Sequence, residues 1–134
     1  KRLVQFPATL INFVEGSRYT PQKAKLSKSP YSNLLPPKAA SLGVALSEIG
    51  NEVEYIFNTT FYYPDSHGKP FIDMMFGRIK DVYANIEILS KDQMPKGNYL
   101  EYKQFKHDFT MYIRDLWEQK DHLLDKLHEE YKNK

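Results

Sequence analysis

Within four consecutive residues, Glu15-Gly16-Ser17-Arg18, the chain sets a carboxylate, a glycine, a hydroxyl and a guanidinium side by side. Such a set suits the binding of a phosphate. An arginine fork grips an oxyanion through two parallel hydrogen bonds, and backbone N–H groups freed at a glycine turn add further donors. Glycine permits the sharp change of direction because no Cβ restricts its backbone. The same tetrapeptide also suits an ordinary turn, in which Glu15 and Arg18 pair at the surface for little net energy. Spacing alone leaves both readings open.

The elements around it say how these groups would be positioned. Leu10, Ile11, Phe13 and Val14, apolar and rich in β-branched and aromatic types, predict a short buried strand ending at Gly16. A strand end is where an open α/β sheet usually keeps its ligand. Tyr19 to Pro37 holds Pro21, Pro30, Pro36 and Pro37 among lysines and serines, which predicts a long loop over that edge. Lys38 to Ile49 predicts a helix, with Pro37 at its start, Gly50-Asn51 at its stop and Gly43 admitting a close neighbour. Ser41 and Ser47 read as helix surface, since neither lies in a Gly-x-Ser-x-Gly elbow.

Farther on, Val53 to Tyr63 alternates as a strand, and strand–helix–strand predicts a right-handed parallel crossover. Pro64 to Gly68 is turn chemistry, Pro70 to Phe76 a single helical turn, and Ile79 to Leu89 a third strand. Asn98-Tyr-Leu-Glu101 has the pattern of a capping box opening a long helix to about Tyr131. Its stripe is Phe105, Phe109, Tyr112, Ile113, Leu116, Leu123, Leu127 and Tyr131, interrupted by Lys120. The expected fold class is α/β: a partial mixed sheet of about three strands, a crossover helix and a long C-terminal helix. Residues 1–90 form the sheet unit and residues 91–134 a helical extension.

Composition narrows the function classes. The chain has 134 residues, 41% hydrophobic and 27% charged, a globular balance for one core. It has no cysteine, hence no disulfide, thiolate nucleophile or thiolate metal ligand. No apolar run approaches the roughly 20 residues that span a bilayer. The chain opens on Lys1, not Met, and reads as an excised piece. Residues 1–40 carry seven basic side chains against the single acid Glu15, residues 41–90 three against seven, and the rest nine against nine. A basic first third fits an anionic substrate or membrane surface. No nucleic-acid module is present, so nucleic acid is not an expected partner.

The longer string Phe13-Val-Glu-Gly-Ser-Arg-Tyr-Thr20, followed by Leu34-Leu-Pro-Pro-Lys38, closely resembles the glycerolipid (lysophosphatidic-acid type) acyltransferases. That family's third block reads Phe-Pro/Val-Glu-Gly-Thr/Ser-Arg, and all six positions fit. Tyr62-Tyr-Pro-Asp65 and Trp117-Glu-Gln-Lys-Asp121 resemble later parts of the bacterial long-chain branch. The resemblance implies the C-terminal half of the catalytic domain of an acyltransferase at the cytoplasmic face of a bacterial inner membrane. It implies an acyl-CoA or acyl-carrier-protein donor and a lysophospholipid or glycerol-phosphate acceptor. No cofactor and no metal are implied. Its acceptor head group would be held at Glu15, Gly16, Ser17, Arg18 and Lys38, with Glu15 and Arg18 foremost.

Chemistry in that family is done by His-x-x-x-x-Asp, the histidine taking the proton of an otherwise poor nucleophile. Five residues beyond His67, His107, His122 and His128 stand Ile72, Tyr112, Leu127 and Asn133, none of them Asp. The resemblance therefore implies a catalytic pair upstream of Lys1 and a fragment with no transferase activity of its own. A non-enzymatic phosphate- or lipid-binding module is the alternative. An excised half also implies an exposed strand edge and self-association, with Phe105, Phe109, Trp117 and Leu124 available to cover that edge or to bridge two copies.

Overall fold

The computed structural model describes residues 9–66 and 68–132. Its elements run α1 (Pro21–Leu26), α2 (Ala39–Ile49), β1 (Ile56–Tyr62), α3 (Pro70–Met75), β2 (Tyr83–Leu89), a 3-10 turn (Lys91–Gln93) and α4 (Lys103–Lys132). The long helix α4 carries the core. Phe105, Phe109, Ile113, Leu116, Trp117 and Leu124 recur three, four or seven residues apart, apart from the adjacent Leu116 and Trp117, and form one buried face. Phe109 and Ile113 are fully enclosed. Val14, Leu34, Ala39, Tyr62, Met94 and Tyr99 join this face in one core from the remaining segments, Tyr99 against Phe105 and Phe109 and Tyr62 against His128 and Tyr131 near the other end of α4. At 30 residues, α4 is held by that packing more than by surface pairs.

The helix α2 docks through its smallest residue. Gly43 is buried, and a Cβ there would stand 2.8 Å from Tyr99 Cγ and closer still to the ring edge. Ser47 Oγ donates to Gly43 O and accepts from Tyr99 N, both at 2.8 Å, so this hydroxyl locks the same contact. The expectation of close packing at Gly43 holds. Ser41 is likewise structural, sharing a hydrogen bond with the Asn12 side chain at 3.3 Å.

Five expectations are corrected. Residues 10–14 form no strand: Val14 is buried, but Leu10, Ile11 and Phe13 face outward. A strand needs a partner for its N–H and C=O ladder, and β1 and β2 pair only with each other among the described residues. The sheet therefore has two strands there, not three, and they run antiparallel, from Ile56 opposite Leu89 to Tyr62 opposite Tyr83. Antiparallel neighbours need no crossover helix, so α2 is not one. The loop from Tyr19 to Pro37 contains α1, started by the Thr20 hydroxyl accepting from Lys23 N, with Pro21 in the first turn. The long helix begins at Lys103; Asn98 instead closes a tight turn, its carbonyl accepting from Tyr102 N at 3.1 Å.

The hairpin is also turned over relative to its most apolar face. Ile56, Asn58, Thr60 and Tyr62 look toward the core, whereas Phe57 and Phe61 look out, as do Ile86 and Ile88 of β2. Phe105, Phe109, Trp117 and Leu124 are consumed by the core and are not free to bridge copies.

Replacing Gly43 with Ala tests the α2 contact. The added methyl gains about 1 kcal/mol of helix propensity but overpacks Tyr99 by about 1–3 kcal/mol. Urea denaturation is expected to show a lower midpoint with an unchanged slope, where an exposed helical glycine would show a higher one.

Candidate functional site

The Gly16 turn is built by short hydrogen bonds. Gly16 N donates to Phe13 O at 2.8 Å, and Gly16 lies at φ +70°, where a side chain is strained. Lys38 N donates to Val14 O at 2.8 Å, so the two halves of the sequence signal, more than twenty residues apart, meet here. A Cβ on Gly16 would stand 3.3 Å from Lys38 Nζ, which puts that ammonium directly against the glycine.

The segment that delivers Lys38 is clamped to α4. Asp121, itself buried, accepts from Ser32 N and Asn33 N at 2.8 Å each, and from the Asn33 side-chain amide at 3.1 Å. Asn33 Nδ2 also donates to Asp125 at 2.8 Å. Leu34 and Leu35 are then pressed inward, and Pro36-Pro37 lead to the start of α2. The sequence shows Asp121 only as the end of the Trp117-to-Asp121 string and Asn33 not at all, because their pairing spans 88 residues.

Glu15 turns inward. Its half-buried carboxyl is pushed up from the ordinary value because burial disfavours the charge. Working the other way are a hydrogen bond from the Leu35 backbone, the Lys120 ammonium and the nearby Trp117 indole. The indole N–H is buried and makes no hydrogen bond of ordinary geometry, so its help is electrostatic. Burial in turn pulls the Lys120 ammonium down, against the favourable charges of Glu15 and Glu87. Lys120 Nζ donates to Thr59 O at 3.0 Å and lies 4.8 Å from the Trp117 ring centroid. The lysine that interrupts the apolar stripe of α4 thus sits beneath the turn. That interruption was the sequence signal for a residue that reasoning on the motif alone misses.

Arg18 turns the other way. It is exposed, and its guanidinium carbon lies 5.3 Å from the Phe71 ring centroid, at the start of α3. The described ion pairs do not join it to Glu15. Gly16 and Lys38 are therefore brought together with Ser17 exposed between Gly16 and Arg18, while Glu15 and Arg18 diverge. Among the described residues no carboxylate lies within ion-pair distance of Arg18 or Lys38, the two cations beside the turn. An exposed cation–π contact is worth only about 0.5–1 kcal/mol, so Arg18 can leave its ring for an oxyanion at small cost. Of the histidines, His128 Nδ1 lies 2.9 Å from Leu124 O on α4, far along the helix from the turn, and His67 is outside the described residues.

The raised carboxyl of Glu15 makes a signed prediction. A carboxyl raised in the folded state binds its proton more tightly there, so its contribution to stability is fully present below the ordinary value of 4.5 and is lost as pH rises through the raised value. The unfolding free energy of the wild-type chain minus that of Glu15→Gln should therefore fall across that window. A difference independent of pH would place Glu15 in water.

No protein-family model and no solved structure matches the chain. It is 22% identical over 140 aligned residues to a 2-acyl-1-lysophosphatidylinositol acyltransferase from Saccharomyces cerevisiae, an alignment that takes in 92% of this chain and 34% of that protein. The chain thus spans about a third of the length of the curated relative it matches. This distant similarity supports an acyltransferase relationship.

Proposed function

We propose that this chain forms the acceptor-binding part of an acyltransferase, holding the phosphate of a lysophospholipid or glycerol-phosphate while a fatty acyl group is transferred to its hydroxyl from acyl-CoA or acyl-carrier protein. The observation that carries the reading is the pair of cations, Lys38 and Arg18, flanking the Gly16 turn with Glu15 withdrawn from between them. A phosphate on this turn would meet the Lys38 ammonium, the Arg18 fork and the Ser17 hydroxyl from one side. Glu15 acts from beneath, tying the turn to the Leu35 backbone and to α4 through the Lys120 charge.

In the transfer, the acceptor hydroxyl oxygen forms a bond to the acyl carbon, the thioester C–S bond breaks, and the hydroxyl proton passes to a base and then to the departing thiolate. The role assigned to this chain is positioning, which lowers the entropic part of the barrier. The base is not among its four histidines in the His-x-x-x-x-Asp form. That fact also favours the second reading, a phosphate- or lipid-binding module with no chemistry.

Arg18→Lys in the intact protein separates the two. On the acyltransferase reading, thioester consumption with a lysophospholipid acceptor continues, and KM for the acceptor rises about 10- to 100-fold with kcat much less affected, because a point charge cannot reproduce the bidentate fork. Kinetics equal to wild type would return Arg18 to a plain turn. An intact protein that binds lysophospholipid but consumes no thioester would establish the second reading.

A further inference from the structure

The short helix α3 is anchored by its polar side and exposes its apolar one. Its buried residue is Asp73, whose carboxylate accepts from Ser66 Oγ at 3.3 Å and pairs with Arg78 at 3.4 Å. Phe71, Ile72, Met74, Met75 and Phe76 are between 45% and 72% exposed, a continuous apolar knob on six helical residues and the one that follows. Apolar projections of this density on a folded surface mark a contact.

The charges around the knob select the kind of contact. Arg18 lies over the Phe71 ring at 5.3 Å and Arg78 over the Phe76 ring at 5.1 Å, while Lys69 and Lys80 flank the element and are exposed. The acids nearby are directed elsewhere. Asp73 is buried, Asp65 accepts from Lys80 N at 3.0 Å, and Asp81 lies close enough to Tyr131, on the last turn of α4, to act on its hydroxyl. An apolar tip within a collar of cations is complementary to an anionic lipid surface, with aromatic and Met side chains below the head groups and Arg and Lys at their level. At six residues α3 rises about 9 Å, far short of a bilayer. No helix of the described residues is long and apolar enough to cross one. The outward face of the hairpin is also apolar, but Glu52, Glu54 and Asp81 lie along its ends and nothing there selects a partner.

We propose that α3 and Phe76 insert into the surface of an anionic membrane, setting the Gly16 turn at the head-group level. The inference rests on the acceptor-binding reading in one respect: Arg18 belongs both to the turn and to the knob, so a lysophospholipid leaving the bilayer meets it first.

The chain has no cysteine, so a single Met75→Cys substitution carries an environment-sensitive fluorophore without interference from within it. The labelled intact protein is mixed, with no acyl donor present, with vesicles of phosphatidylcholine alone or of phosphatidylcholine with phosphatidylglycerol, an anionic lipid with both acyl chains in place. The expected result is a blue shift and quenching by acyl-chain spin labels in the anionic vesicles, with a label at Lys96→Cys unaffected. Lys69→Gln with Lys80→Gln is expected to weaken the response about 10- to 30-fold, near five-fold for each charge. A label at position 75 that stays in water with every vesicle overturns the proposal. So does one that is shielded without lipid as concentration rises, since a second copy then covers the knob, and so does an equal response to neutral vesicles. None of these variants touches Arg18, so their failure leaves the acceptor-binding reading standing, and unchanged Arg18→Lys kinetics leave the insertion standing.

Discussion

Burial of one face of α4 is the constraint on which the rest of the molecule depends. The face is covered along its length because Val14, Leu34, Ala39, Tyr62 and Tyr99 come to it from segments with little regular structure or with one short element each. The hairpin and α2 are too small to stand alone, and a two-stranded sheet has only one ladder of backbone bonds. Packing against a single long helix supplies what they lack. It also means that polar residues on α4 become the fixed points for loops. Asp121 holds Ser32 and Asn33, and Lys120 holds Thr59.

These two adjacent residues serve the candidate site by different physics. Asp121 satisfies backbone N–H groups that would otherwise be left unpaired in a partly buried loop, and charge-assisted bonds of this type are among the stronger ones. Lys120 puts a positive charge under Glu15 in a setting where burial works against both. Desolvation is the larger influence on each partner, so burial leaves the carboxyl of Glu15 raised and the ammonium of Lys120 lowered despite their attraction. What the arrangement secures is direction. The Leu35 backbone and the Lys120 charge act on Glu15 from the inner side of the turn, and no described ion pair joins it to Arg18 or Lys38.

The distribution of apolar surface follows from the same economy of core. One helix face has room for a limited set of side chains, and the hairpin presents Tyr62 and Thr60 to it in preference to Phe57 and Phe61. Lys120 and Glu87 lie on that inner side, which explains why the inward positions of the strands include Asn58 and Thr60. The apolar residues left outside collect in two places, the outer hairpin face and α3.

The amino-acid sequence by itself determined roughly where α2, β1, β2 and α4 lie, because their signals are local. The stripe of α4, the small-residue face of α2 and the alternation of β1 are each readable from side-chain period, and the Gly16 turn from a glycine that must adopt positive φ. The proximity of Lys38 to that turn was legible too, through the resemblance of the whole string. Pairing was not legible. Whether Ile56–Tyr62 meets a strand before it or after it depends on contacts dozens of residues away, and the tertiary structure chose the antiparallel partner and left residues 10–14 without one. The inward turn of Glu15 and the outward turn of Arg18 were likewise decided in three dimensions. Each followed the nearest compensation for its charge, Leu35 and Lys120 for the carboxylate and the Phe71 face for the guanidinium, and neither partner is adjacent to it in the chain.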